Sequence, residues 1–113
     1  MVTIFDALAD PTRRRILDLL RERPRLVGEL VDQLKISQPL MSKHLRVLRE
    51  GGLVRVRQDA QRRWYELVPE PLAELDTWLT SYRHLWEARF DRLDGYLTEL
   101  QEQQKREKDH DEG

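Results

Sequence analysis

Residues 35–67 read KISQPLMSKHLRVLREGGLVRVRQDAQRRWYEL, and the fold turns on how this stretch divides. Ser37 is a residue type that caps helix starts, and Met41, Leu45 and Leu48 follow at helical spacing, so the stretch predicts a helix over 38–50. Its other faces carry Gln38, Ser42, Lys43, Arg46 and Arg49. Gly51-Gly52 ends this helix, because glycine enters the left-handed region just past a helix terminus without penalty. The hydrophobic period then changes. Residues 53–57 and 63–67 mostly alternate apolar with charged side chains and flank a polar turn over 58–62, which reads as a β-hairpin with a basic tip.

Upstream, Lys35-Ile36-Ser37 is a tight connection to a helix over 26–34, whose Val27, Leu30, Val31 and Leu34 form one buried stripe. Two helices joined by about three residues, the second with a polar face, spell helix-turn-helix. Further back, Asp10-Pro11 supplies a cap and a first helical residue for a helix that carries Ile16, Leu17, Leu19 and Leu20 and stops at Arg23-Pro24. A short opening helix holds Ile4, Phe5 and Leu8 on one face. Helix, helix, helix-turn-helix and basic hairpin together make the winged-helix layout, a mainly α fold with a small β-hairpin.

Downstream, Pro69-Glu70-Pro71 punctuates the chain and a long helix is expected from Leu72. Leu72, Leu75, Leu79, Tyr82, Trp86, Phe90, Leu93, Leu97 and Leu100 recur in steps of three and four, the seam of a helix that faces another helix. Some 30 residues at about 1.5 Å each make a rod of roughly 45 Å, longer than the ~26 Å width of a domain of about 100 residues. Such a rod is expected to pack its Leu75, Leu79, Tyr82, Trp86, Phe90 and Leu93 against the same helix of a second copy. Residues 1–100 are read as one domain and the polar residues 101–113 as a disordered tail.

The net charge of −1 conceals a strong asymmetry, since residues 1–68 hold 14 Lys and Arg against 9 Asp and Glu, and residues 69–113 hold 6 against 12. A basic face with an acidic remainder is the footprint of a polyanion-binding protein. Absence of Cys excludes disulfides, thiolate metal sites and a nucleophilic thiol. No apolar run reaches the roughly 20 residues of a membrane span, so a soluble, cytoplasmic protein without membrane contact is expected. No nucleophile with a spaced base and no phosphate-cradling glycine loop stands out, so no enzyme activity and no cofactor are expected.

Within the winged-helix layout each polar residue acquires a task. Ser37, Gln38 and Ser42 lie at the start of the recognition helix, where Gln suits an adenine edge, and Lys43 and Arg46 suit phosphate or guanine. Arg57, Arg62 and Arg63 fall where the wing meets the sugar-phosphate backbone of double-stranded DNA, adding affinity without sequence choice.

Leu8-Ala9-Asp10-Pro11-Thr12-Arg13-Arg14-Arg15-Ile16-Leu17-Asp18-Leu19-Leu20 resembles the opening signature of ArsR-type regulators, and Ile36-Ser37-Gln38-Pro39-Leu40-Met41-Ser42-Lys43-His44-Leu45-Arg46-Val47-Leu48 resembles their recognition helix. Gly51-Gly52-Leu53-Val54 carries the resemblance into the wing, and in all it spans about residues 3–100. It implies a homodimer on a roughly palindromic operator, with Ile4, Phe5 and Leu8 of the first helix joining the last helix at the interface. It also implies repression relieved by an effector. Trp86-Glu87-Ala88-Arg89-Phe90-Asp91-Arg92-Leu93 resembles a metal-independent branch, which implies a regulator that senses a small molecule or nothing directly.

Departures from the family pattern bear on metal. His84-Leu85-Trp86-Glu87 matches one half of a ligand set on the last helix, but Asp76-Thr77-Trp78 puts Trp where an imidazole belongs, so no metal site is expected. His44, on the border of the buried stripe, reads as packed or phosphate-contacting, and His110 in the polar tail as a bystander. Two other readings stay open: a metal-responsive repressor with its site on the last helix, and a winged-helix module that binds protein.

Overall fold

A computed structural model describes the backbone of residues 1–111 and the side chains of residues 1–106. Its elements run α1 (Ile4–Leu8), α2 (Pro11–Glu22), α3 (Val27–Leu34), α4 (Gln38–Glu50), β1 (Val54–Asp59), β2 (Arg62–Leu67), α5 (Glu70–Thr80) and α6 (Arg83–Asp111). Mainly α with one antiparallel hairpin, this is the winged helix-turn-helix that the sequence predicts.

Local chemistry accounts for the element boundaries. The Asp6 N–H donates to Thr3 Oγ1 at 3.1 Å while Asp6 Oδ2 accepts from the Thr3 N–H at 2.9 Å, a reciprocal cap on α1. Asp10 accepts from the Arg13 N–H at 2.9 Å and precedes Pro11, as the sequence predicts for α2. Arg13 itself donates back to the Asp6 and Ala7 carbonyls at 2.8 and 2.9 Å, and Arg14 to the Leu8 carbonyl at 2.8 Å. The Asp6 carbonyl also accepts from the Ala9 N–H at 3.3 Å, and the arginines add partners for carbonyls at the end of α1, where a helix leaves them unpaired.

At the end of α4 the Leu53 N–H reaches the Leu48 carbonyl and the Gly52 N–H the Arg49 carbonyl, both at 3.0 Å, with Gly52 at φ +78°. This is a Schellman closure, and its apolar contact is supplied by Leu48 and Leu53, both fully buried. Gly51 serves another purpose, because a methyl group there would stand 3.0 Å from Ala7 Cβ of α1.

The core gathers Ile16, Leu17 and Leu20 of α2, Leu30 and Leu34 of α3, Met41, Leu45 and Leu48 of α4, and Leu53 and Val54 at the root of the hairpin. Ile4 belongs to this core as well, 8% exposed, so most of its side chain is covered within the chain itself. Two backbone hydrogen bonds, Arg25 N–H to the Tyr65 carbonyl at 3.0 Å and Tyr65 N–H to the Arg25 carbonyl at 2.8 Å, give β2 a second neighbour and moor the hairpin to the α2–α3 connection. The Arg25 side chain is buried, bonded to Glu22 at 2.9 Å and to the Leu19 carbonyl at 3.4 Å.

Three expectations change. The hairpin turn is only Ala60-Gln61, since Asp59 pairs with Arg62, and Ala60 takes φ +56° where such turns usually recruit glycine or asparagine. The long helix is two helices. Thr80 Oγ1 donates to the Asp76 carbonyl and Ser81 Oγ to the Trp78 carbonyl, both at 2.7 Å, and such hydroxyl bonds compete with the helical ladder. The backbone there turns through three-residue bonds from Ser81 to Trp78 and from Tyr82 to Leu79. Finally, α6 continues to Asp111 instead of ending near residue 100, over Gln, Glu, Lys and Arg residues that are good helix formers. Residues 112 and 113 of the expected tail and the His110 side chain lie outside the described residues. The chain divides into two units, Met1–Leu75 and Asp76–Gly113.

Met41→Ala, which empties part of a fully buried site, is expected to cost about 2–5 kcal/mol in urea denaturation. Gly52→Ala, which forces a left-handed alanine, should cost about 1–2 kcal/mol.

Candidate nucleic-acid interface

With Met41, Leu45 and Leu48 committed to the core, the opposite side of α4 is necessarily presented outward. Gln38, Ser42, Lys43 and Arg46 are all exposed on it. Ser37 is exposed too, but its hydroxyl accepts from the Leu40 N–H at 3.3 Å, so its first role is the helix cap.

Two concave surfaces organise these residues. Gln38 and Ser42 share a hollow of about 370 Å³ with Gln61, Arg62 and Arg63 of the wing, floored by Val27 and Tyr65. Pro39, Ser42, Lys43 and Arg46 line a second one of about 400 Å³. The fold thus brings six of the eight expected DNA-contacting residues onto α4 and the neighbouring wing tip, with Ser37 just ahead of them as the cap of α4.

Arg57 is the one set apart. It donates through Nε to Glu66 Oε1 and stands 3.9 Å from the Asp59 carboxylate, while Arg55 donates to Glu66 Oε2 at 3.0 Å. The arginine bonds, that of Arg57 first, hold the Glu66 carboxyl below its ordinary value, and the same bond raises Arg57. Sequence reasoning passed over Arg55 and Glu66. The signal was the hairpin register, which sets Arg55 opposite Glu66 on one face. Arg62 and Arg63 have no ion-pair partner among the described residues.

His44 is packed, not aimed at phosphate. Its side chain is 12% exposed, with Nδ1 3.9 Å from the Asp10 carboxylate and 3.5 Å from Arg13 Nη1. Asp10 is held below the usual carboxylate range, chiefly by the Arg13 backbone N–H and then by the nearby charges of His44 and Arg13.

The expected interface residues sort by exposure. Leu8, Leu75, Leu79 and Trp86 are half-buried, whereas Phe5, Tyr82, Phe90 and Leu93 are exposed, as are Leu97 and Leu100 further along α6. Tyr82 also makes an edge-on ring contact with Trp78 at 5.2 Å. Of the residues named for a metal, Asp76 and Glu87 both reach Arg83, at 3.3 and 3.6 Å. No cluster of three or more metal-ligating side chains occurs among the described residues, and none of their helices is long and apolar enough to cross a membrane.

Residues 10–56 match the family profile described as bacterial regulatory protein, arsR family. An HTH-type transcriptional regulator of Mycobacterium tuberculosis is 42% identical over 77% of this chain and 89% of its own length. The transcriptional repressor SdpR of Bacillus subtilis is 32% identical over 73% of this chain and 91% of its own. Among solved structures, an ArsR-family transcriptional regulator superposes with a TM-score of 0.66 at 36% identity, covering 74% of this chain and 92% of that one. A homodimeric winged helix-turn-helix DNA-binding domain from Mycobacterium bovis does so with 0.59 at 31% identity, covering 73% and 78%.

Lowering the folded-state pKa of a carboxyl stabilises the fold above its unfolded value, and that gain is lost as pH falls through the folded value. An NMR titration of the Glu66 carboxyl should therefore give a midpoint below 4.5, the ordinary value, and a midpoint at or above it would contradict the pairing.

Proposed function

Since this chain belongs to the ArsR family of bacterial regulatory proteins, transcriptional regulators with a winged-helix DNA-binding domain, we propose that it binds an operator as a homodimer and represses transcription. The observation that carries this reading is the hollow that Gln38 and Ser42 share with Arg62 and Arg63. In it, side chains able to read base edges adjoin side chains suited to phosphate, the two components of sequence-specific binding. Helix α4 enters the major groove and the wing lies on the backbone. The excess of basic residues in 1–68 supplies the sequence-independent attraction.

The dimer rests on a different observation. Phe90, Leu93, Leu97 and Leu100 of α6 are all about half exposed, an apolar row too long to leave in water. A second copy of the same helix is its natural cover, as the homodimeric relative from Mycobacterium bovis supports. The repressive sense is supported by SdpR, a repressor by name.

Fluorescence anisotropy with DNA from immediately upstream of the coding sequence, against shuffled DNA of equal length, tests the reading. A preference of about a thousandfold and a steep loss of affinity with salt are expected. Lys43→Ala or Arg46→Ala should weaken binding about tenfold or more and leave the dimer intact in sedimentation. Trp86→Glu should lose both dimer and DNA. A monomer that still binds tightly, or equal affinity for shuffled DNA, would overturn the proposal.

A further inference from the structure

Four arginines stand on the strands of the wing, and they are not equivalent. Arg62 and Arg63 follow the tip on β2, exposed, with no ion-pair partner among the described residues. Arg55 and Arg57, two residues apart and therefore on one face of β1, converge on Glu66 of β2. Each carboxylate oxygen takes one of them, Oε2 from Arg55 Nε at 3.0 Å and Oε1 from Arg57 Nε. Asp59 adds a second negative charge 3.9 Å from Arg57 Nη1. Two positive and two negative side chains sum to zero, so this part of the wing offers a polyanion no net charge.

Shielding makes the arrangement unequal. The Glu66 side chain is 13% exposed, whereas Arg55 is 70% and Arg57 48% exposed. A phosphate that drew either guanidinium away would leave a largely covered carboxylate short of a partner, and such a group resists losing its hydrogen bonds. A phosphate that bound without drawing it away would face the carboxylate across one side chain. Both routes weaken the contact.

Resting on the DNA-binding reading above, we propose that Glu66 is an attenuating residue of the wing, withholding Arg55 and Arg57 from the phosphate backbone so that the wing holds DNA through Arg62 and Arg63. The consequence concerns the sequence-independent part of affinity, because phosphate contacts are the same on every sequence. Glu66 lowers the protein's hold on all DNA, operator and bulk alike.

Glu66→Gln keeps the size of the side chain and an acceptor oxygen while removing the charge, and circular dichroism of the variant checks that it folds. In anisotropy titrations over several salt concentrations, Glu66→Gln should bind both upstream and shuffled DNA about three- to tenfold more tightly. The slope of log affinity against log salt should steepen by up to about one. Arg55→Ala should cost less than about twofold in the native background and erase most of the gain in the Glu66→Gln background, a coupling that a merely structural role would not produce. The Arg62→Ala, Arg63→Ala double variant should lose about tenfold or more in both backgrounds. Unchanged or weaker binding by Glu66→Gln overturns the inference, weaker binding marking Glu66 as an aid to the arginines instead. If the folded native protein binds neither DNA at low salt, the DNA-binding reading itself fails and the inference falls with it.

Discussion

Burial of Met41, Leu45 and Leu48 is the constraint from which the rest of the structure follows. These three side chains fix the rotation of α4 about its own axis, and rotation decides which residues the helix displays. A turn of the helix by one residue would carry Ser42, Arg46 and Arg49 into the places of Met41, Leu45 and Leu48 and leave apolar atoms facing outward. Ile16, Leu20 and Leu30 belong to the same fully or nearly fully buried cluster, so α2 and α3 act as the bed on which the display is oriented. Close packing makes that bed stiff, because it tolerates little change in volume.

Orientation of the wing is secured by backbone chemistry. The Schellman bonds at Gly52 and Leu53 tie the first strand to the end of α4, and the Arg25–Tyr65 bridge ties the second strand to the connection before α3. Held at both roots, the hairpin can place Arg62 and Arg63 beside Gln38 and Ser42. Buried Arg25 secures the connection in turn, since its guanidinium is satisfied by Glu22 and by the Leu19 carbonyl. A buried charge with so few alternatives holds its neighbours in place.

What could be read in the sequence was what local rules control. Caps at Ser37 and Asp10, the glycine pair after α4 and the change of period at Leu53 each express a preference within a few residues, and all appear where expected. The α4 and wing-tip residues of the candidate interface were legible for the same reason, as the polar complement of a helical stripe. Features that depend on partners distant in sequence were not. Nothing near Arg57 announces that Glu66 claims it, and nothing near Arg25 announces Tyr65. The break before α6 escaped for a different reason: apolar residues keep their steps of three and four across Ser81, while the hydroxyls of Thr80 and Ser81 redirect the backbone. Periodicity reports which side is apolar and is silent about where a helix bends. Ile4 shows the converse limit, since an apolar residue on a short helix serves a core or an interface equally well by pattern.

Gly51 leaves room for one methyl group fewer than any other residue would need, and the body that fills the room is Ala7 of the first helix. The backbone at the end of α4 and the Ala7 methyl of α1 therefore meet with nothing between them. Mechanically this is a hard stop. Any larger residue at Gly51 would have to lift the shortest helix from its seat or shift the close of α4, so the spacing between these two elements is set by the absence of a single carbon atom.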